Sequence, residues 1–420
     1  MEYKRYQAKG YTIHTIKTDK FKNCLLEIIF RNELIKDKIT ARNMVMDLIC
    51  QSSQKYAKRK DIVIASETLY NTHARMVSTK IGNSGFYGVI TDFLNPKYCE
   101  PGILDEMVAF PFELLLRPNI KNNQFDERSY NIVKNKIIAE IKSIKESPTR
   151  YAFRRNILNI DENSPSSYSA SGYLEDLDII TPKSLVTTYQ ELLENSLCDI
   201  FVSGDLDMDY MIKLIQKYFK RNIPQKLQLE LYVNNIIREK HQVIKEKDTY
   251  SQANLIVTYN IIDLTKRESE MVAPLFNTIL GDGSLETKLF RRLREENSLC
   301  YRISSSFCRH DNLLLIHAGI DKNNFDSAVD LIKKTVQEMI EGNISEKELS
   351  GGKAGLISGI RMAQDSQNEL ISNYLFNYLD QTPLLDDAIN MVETITKEEL
   401  ISLAEKLKLN TIYMLSDGDE

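Results

Sequence analysis

One feature constrains this chain more than any other: it spells the same supersecondary unit twice. Residues 180–205, ITPKSLVTTYQELLENSLCDIFVSGD, and 395–419, ITKEELISLAEKLKLNTIYMLSDGD, run through the same signals in the same order. A threonine suited to cap a helix (Thr181, Thr396) precedes an amphipathic helix. A short apolar strand follows, ending in Gly-Asp or Asp-Gly-Asp. A weaker echo lies earlier in each half. Residues 24–30 read as a strand followed by a helix around 41–50, and residues 255–261 as a strand followed by a helix around 269–280. The earlier pair is spaced more widely than the later one, so the first half carries extra residues in its middle. A repeat of helix, strand and turn in order implies two homologous halves. Each reads as α/β, with mixed strands and long amphipathic helices such as 131–144 and 325–340.

At 420 residues the chain exceeds one ordinary core, which also favours two domains. The join falls between Phe219 and Thr249, where Pro224 and a polar, lysine-rich stretch separate the patterns. The expected division is 1–225, a linker at 226–248, and 249–420. The net charge of −5 repels nucleic acid as a whole-chain field, and the run Lys55 to Lys60 is too short to reverse that. The six cysteines lack CxxC spacing, and Cys24 and Cys198 lie in apolar runs. That usage fits a reducing compartment instead of a disulfide framework or a zinc ribbon. No apolar h-region follows the N-terminus, and no stretch reaches the roughly 18 apolar residues of a membrane span, so a cytoplasmic location is expected.

The chemistry-bearing stretch is 280–301. A Gly281-Asp282-Gly283 turn leads into an apparent helix, and Arg294 and Tyr301 follow seven residues apart. Two helical turns would set a cation and a phenol on one face, as binding of a peptide carbonyl or carboxylate requires. Spacing alone also fits a solvated helix arginine, a strand-edge tyrosine and a helix-terminating turn. No HExxH or HxxEH occurs, and none of the five histidines has another four residues away. Cys308 and His310 would share one face of a strand, but two ligands do not make a zinc site.

Taken together, these segments resemble the insulinase-like metallopeptidases, the family of pitrilysin, the mitochondrial processing peptidase and the short bacterial processing proteases. The likeness covers essentially the whole chain. In the second half, LGDGSLETKLFRRLREENSLCYRISSSF matches the family's glycine turn, Leu-Phe, Leu-Arg-Glu and Leu-x-Tyr pattern. In the first, Arg117-Pro-Asn119, Phe125-Asp-Glu-Arg128, Ile137 to Lys142 and Ser203-Gly204-Asp205 match the elements after the active site. The resemblance implies two homologous halves, each a mixed, mainly antiparallel sheet flanked by helices.

It also implies a site, and the chain departs from it. Active members carry HxxEH, in which two histidines bind zinc and the glutamate activates water, with a later glutamate as third ligand. Here the matching segment is Asn43-Met-Val-Met-Asp47, with Asn43 and Asp47 at the histidine positions and Met46 at the general base. A thioether does not accept a proton at neutral pH. Only Glu140 matches, at the third-ligand position, so no metal is expected in this chain. The resemblance assigns substrate binding to Arg294 and Tyr301, with Gly281, Asp282 and Gly283 contacting incoming peptide. It makes the chain a non-catalytic subunit that pairs with an HxxEH homologue, which would bring the zinc, or with a second copy of itself. The alternative is a scaffold or binding protein that keeps the fold and has no part in proteolysis.

Overall fold

The computed structural model describes residues 1–223, 227–250 and 252–417. Pro224, the 225/226 boundary and the Gly418-Asp419 end of the second repeat copy lie outside the described residues. The chain forms two compact units, Met1–Ser143 with Tyr168–Leu231, and Ile144–Ser167 with Tyr232–Glu420.

The first unit begins with β1 (Glu2–Ala8), β2 (Tyr11–Lys17), β3 (Asn23–Glu33), α1 (Ile39–Ile49), α2 (Arg59–Thr68), β4 (His73–Ile81), β5 (Ser84–Leu94) and α3 (Ile103–Leu116). A small hairpin, β6 (Ile120–Lys121) and β7 (Gln124–Phe125), leads into the long helix α4 (Glu127–Glu146). The helix α5 (Pro148–Ile160) then passes to the second unit. The chain returns to the first with α6 (Pro182–Asn195), β8 (Leu197–Gly204) and α7 (Met208–Tyr218). The second unit continues with β9 (Gln242–Asp248), β10 (Ala253–Ile261), α8 (Ala273–Gly281), β11 (Cys300–Cys308), β12 (Leu313–Ile320) and α9 (Phe325–Ile340). Helices α10 (Glu346–Gln364), α11 (Gln367–Asp380), α12 (Leu385–Glu393) and α13 (Lys397–Glu405) precede the last strand, β13 (Leu407–Asp417).

Among the described residues the strand order is β1-β2-β8-β3-β5-β4 in one sheet and β11-β12-β10-β13-β9 in the other. Read from the opposite edge, the second order superposes on the first, with β9 for β2, β13 for β8, β10 for β3, β12 for β5 and β11 for β4. The one parallel pair also falls at the same place in each, β2 with β8 and β9 with β13. The sequence repeat is therefore a repeat of topology. Both threonines cap as expected: Thr181 accepts from the Ser184 amide at 3.1 Å, and Thr396 from the Glu399 amide at 3.3 Å. Such a cap contributes about 1 kcal/mol. Strand β9 lies inside 226–248, the stretch that reads as linker. Its QVIKEKD alternates half-buried and exposed positions and is mostly polar, as a linker also is.

Each sheet turns one face to its own helices. In the first unit Ile13, Leu26, Ile28, Phe30, Ile200 and Val202 pack with residues of α1, α3, α6 and α7. In the second, Leu255, Val257, Leu314 and Ile316 pack with residues of α8, α9 and α13. The other face of the second sheet is covered by α5. Ala152, Phe153 and Ile157 lie against Ile256, Leu315, Tyr413 and Leu415. Glu246 of β9 fixes that helix, accepting from Arg155 Nε at 2.7 Å and from the Tyr151 and Tyr413 hydroxyls at 2.9 Å each. Burial pushes the Glu246 carboxyl up, but these three donors outweigh it and hold the group below its ordinary value. Asn156 exchanges hydrogen bonds with the Thr258 hydroxyl inside the same interface.

Candidate functional site

The residues at the HxxEH positions sit on α1 and are each committed to a non-catalytic partner. Asn43 is 7% exposed. Its amide donates to the Ala170 carbonyl at 2.7 Å, and its carbonyl accepts from the Ser78 hydroxyl on β4. Met46 is 1% exposed and belongs to the hydrophobic core. Asp47 turns outward to α4, where Lys136 Nζ lies 2.7 Å away. The same ammonium stands 3.5 Å from Glu140, one helical turn further along α4. Burial works against the Lys136 charge, but Asp47 and Glu140 outweigh it and raise its pKa. The structure therefore brings Asp47 and Glu140 together around a lysine.

Zinc takes three or four nitrogen, sulfur or oxygen donors. These positions offer a committed amide, a buried thioether and two carboxylates already sharing an ammonium. They do not fit the metal. Among the described residues no group of three His, Cys, Asp or Glu side chains is placed to hold one. Cys308 and His310 do not supply an alternative. Strand β11 ends at Cys308, and the His310 ring lies beyond it, tilted between Tyr232 (5.2 Å) and Phe376 (5.5 Å). Burial, and then Arg309, lower its pKa.

The second group of residues gathers around β11. Helix α8 ends on Gly281, where a Cβ would come 2.7 Å from Leu289 Cδ1 and 3.0 Å from Ser305 Oγ, so only glycine lets the turn lie this close to the strand. Asp282 is exposed and accepts from the Ser284 amide at 2.9 Å. Gly283 has φ +100°, a left-handed conformation that suits glycine. The next helix buries Leu289, Phe290 and Leu293 and winds as a π-turn over Phe290–Glu295, with the Glu296 amide reaching back to the Arg291 carbonyl at 2.9 Å. Turns of this kind are frequent at functional sites.

The sequence spacing suggested one helical face for Arg294 and Tyr301, and here the fold differs. The helix closes where Ser298 takes φ +53° and the Leu299 amide bonds the Leu293 carbonyl. Tyr301 belongs to β11 instead. The two still meet, because Arg294 Nη1 donates to the Tyr301 carbonyl at 2.7 Å and the guanidinium lies over the Phe290 ring at 5.2 Å. Strand β11 is an edge of its sheet, and its register slips between Cys300 and Arg302. Tyr301 is the extra residue in that bulge and is 74% exposed. Bulges commonly re-aim a side chain.

The cations of this helix are not equivalent. Lys288 pairs with Glu348 at 3.0 Å, and Arg291 with the same carboxylate. Arg292 makes two bonds to Glu338, at 2.7 and 2.8 Å. Arg294 has no carboxylate partner among the described residues. A guanidinium carries five donors in a planar fork, so most of its hydrogen-bonding capacity remains directed outward.

The first unit holds a polar cluster that sequence spacing does not reveal. His14 Nε2 lies 3.2 Å from Asp199, the Tyr3 hydroxyl lies 2.8 Å from His14 Nδ1, and Arg31 grips Asp199 through two bonds at 2.9 and 2.7 Å. These residues are far apart along the chain and come together only through the pairing of β1, β2, β8 and β3.

Comparison with known proteins agrees with this geometry. Residues 180–356 match the family described as peptidase M16 inactive domain. The chain is 28% identical over 414 residues to a probable inactive metalloprotease, YmfF, of Bacillus subtilis (strain 168), covering 97% of this chain and 96% of that protein. A conserved protein from Enterococcus faecalis V583 shares the fold with a TM-score of 0.92 and 26% identity, covering 100% of this chain and 99% of that one. A peptidase M16 inactive domain from Pseudomonas fluorescens has the same fold, with a TM-score of 0.80 at 16% identity over 100% of this chain and 98% of that one. The chain is thus similar along its length to inactive members of the insulinase-like M16 peptidase family, and its sequence lacks the HxxEH zinc motif.

Proposed function

We propose that this chain is the non-catalytic, substrate-binding subunit of a two-chain zinc peptidase that processes peptides or small proteins. The observation that carries the reading is the pairing of Arg294 and Tyr301. The chain neutralises Lys288, Arg291 and Arg292 with its own carboxylates, while Arg294 and the Tyr301 hydroxyl face outward at an open sheet edge. An edge strand offers unpaired amides and carbonyls to an extended peptide. A guanidinium holds a neighbouring backbone carbonyl, and a phenol donates to a scissile carbonyl as its oxygen gains charge. The metal and its activated water would belong to an HxxEH-bearing partner, a homologue of this chain. A cytoplasmic, bacterial setting fits the cysteine usage and the relatives. The Gly281-Asp282-Gly283 turn, seated against β11, would line the approach of the peptide.

The test is reconstitution with an HxxEH-bearing homologue. Replacing Arg294 or Tyr301 with alanine should leave the complex assembled and its zinc content unchanged. Turnover should fall about tenfold or more, the usual loss when a transition-state contact is removed. If both variants assemble and turn over substrate at the parent rate, the scaffold reading replaces this one.

A further inference from the structure

The disagreement between the HxxEH positions and a zinc site has a specific chemical form. Asp47 on α1 and Glu140 on α4 both contact one cation, with Lys136 Nζ at 2.7 Å from the first and 3.5 Å from the second. We propose that Lys136 is the resident cation of this helix pair: an ammonium supplied by the chain itself holds α1 to α4 where metal-binding relatives use zinc. The inference stands on these contacts and does not depend on any role in proteolysis.

Three observations support it. First, two carboxylates drawn to one place repel unless a positive charge lies between them, and each extra ångström of approach sharpens that need. Lys136 supplies the charge from α4, one turn before Glu140, so one side chain serves a neighbour on its own helix and a carboxylate on another. Second, the remaining HxxEH-position side chains are closed to a metal. Asn43 is bonded on both of its amide atoms, and Met46 is sealed in the core. Third, a lysine suits the place chemically. Its flexible stem delivers a point charge with three donors, whereas an arginine fork would demand a planar, two-oxygen partner. Lys136 is 49% exposed and Asp47 21%, so the pair is partly screened by water and acts as a local latch, not as a buried ion pair.

A double-mutant cycle tests the proposal. Unfolding by urea is measured for the full chain, for Lys136→Met, for Asp47→Asn and for the two combined. If Lys136 is the cation that Asp47 requires, Lys136→Met shifts the unfolding equilibrium toward the unfolded chain. Its effect should shrink in the Asp47→Asn background, with a coupling of about threefold in the equilibrium constant. A second cycle with Glu140→Gln should show a smaller coupling, as the longer contact implies. Additive effects in the Asp47 cycle would overturn the proposal, as would a fall in the melting temperature of the parent chain on adding EDTA. Should Lys136→Met fail to accumulate as folded protein, Lys136→Arg decides. A folded Lys136→Arg chain means that the charge is what matters, and failure of both variants means that packing of the stem is.

Discussion

Arg294 and Arg292 are two residues apart on one turn of helix, and the fold treats them differently. Arg292 is spent on Glu338 through two hydrogen bonds, whereas among the described residues Arg294 meets a backbone carbonyl and an aromatic face and no carboxylate. This contrast predicts a contrast in stability. Arg292→Ala should cost about 0.5–1 kcal/mol, the range of a well-formed, partly exposed ion pair. Arg294→Ala should stay within about 0.5 kcal/mol of the parent, as surface changes without a structural partner do. Urea unfolding of both variants measures the difference, and a larger loss for Arg294→Ala would make it a structural residue. The motif that carries Arg294 and Tyr301 was legible in the sequence, but its local geometry was not. Periodicity placed Tyr301 on a helix because nothing in the letters Asn297-Ser298-Leu299 announces the left-handed turn at Ser298 that starts β11. The departures at Asn43, Met46 and Asp47 were legible as residue types. Their new partners, Ala170, the core and Lys136, were not, since each contact spans distant parts of the chain.

At the scale of elements, the helix that presents Arg294 is held by α10 through a single carboxylate. Glu348 closes the capping box of α10 with Ser345 and receives Lys288 and Arg291 from the neighbouring helix. Burial pushes the Glu348 carboxyl up, but the Ser345 bonds and Lys288 more than reverse that and lower it to about 2. A carboxyl whose pKa is depressed by folding contributes stability above its unfolded value and loses it as pH falls through the folded one. The contribution should therefore be complete above pH 4.5 and decline toward pH 2. Allowing for solvent screening, Glu348→Gln should remove about 1–2 kcal/mol at neutral pH and flatten the acid limb between those values. Denaturation midpoints measured across that range check it, and an unchanged acid limb would contradict it. Helix α10 also shows what composition leaves open. Gly352 lies against Ile279, where a Cβ would come within 2.5 Å, whereas Gly351 and Gly359 face open space. Gly355, the remaining glycine of this helix, meets Thr278 at an ordinary 3.5 Å, so close packing is what Gly352 alone of the four provides.

At the scale of the whole molecule, the repeat visible at 180–205 and 395–417 proved to be part of two sheets that share an order of five strands, to which the first adds β1. That much was legible because helix, strand and cap recur together. The path of 144–167 was not, since α5 is an ordinary amphipathic helix whose apolar face does not say which sheet it will cover. It completes the second unit by burying Ile256, Leu315, Tyr413 and Leu415. A fragment of 232–420 alone would leave that face in water and Glu246 without Arg155 and Tyr151. It should aggregate or melt well below a fragment in which 144–167 is joined by a flexible linker to 232–420, as exposed apolar sheet faces do. Equal melting of the two fragments by circular dichroism would show that α5 is dispensable to the unit.

The central claim is that this chain keeps the insulinase-like fold without its metal chemistry. Its most direct test is the zinc content of the purified full-length chain after incubation with excess zinc and buffer exchange. The account predicts far less than one zinc per chain, because Asn43, Met46 and Lys136 leave no set of ligands at these positions and none occurs elsewhere among the described residues. Retention of about one zinc per chain, at the affinity of a built protein site, would contradict it and make the chain a metallopeptidase in its own right.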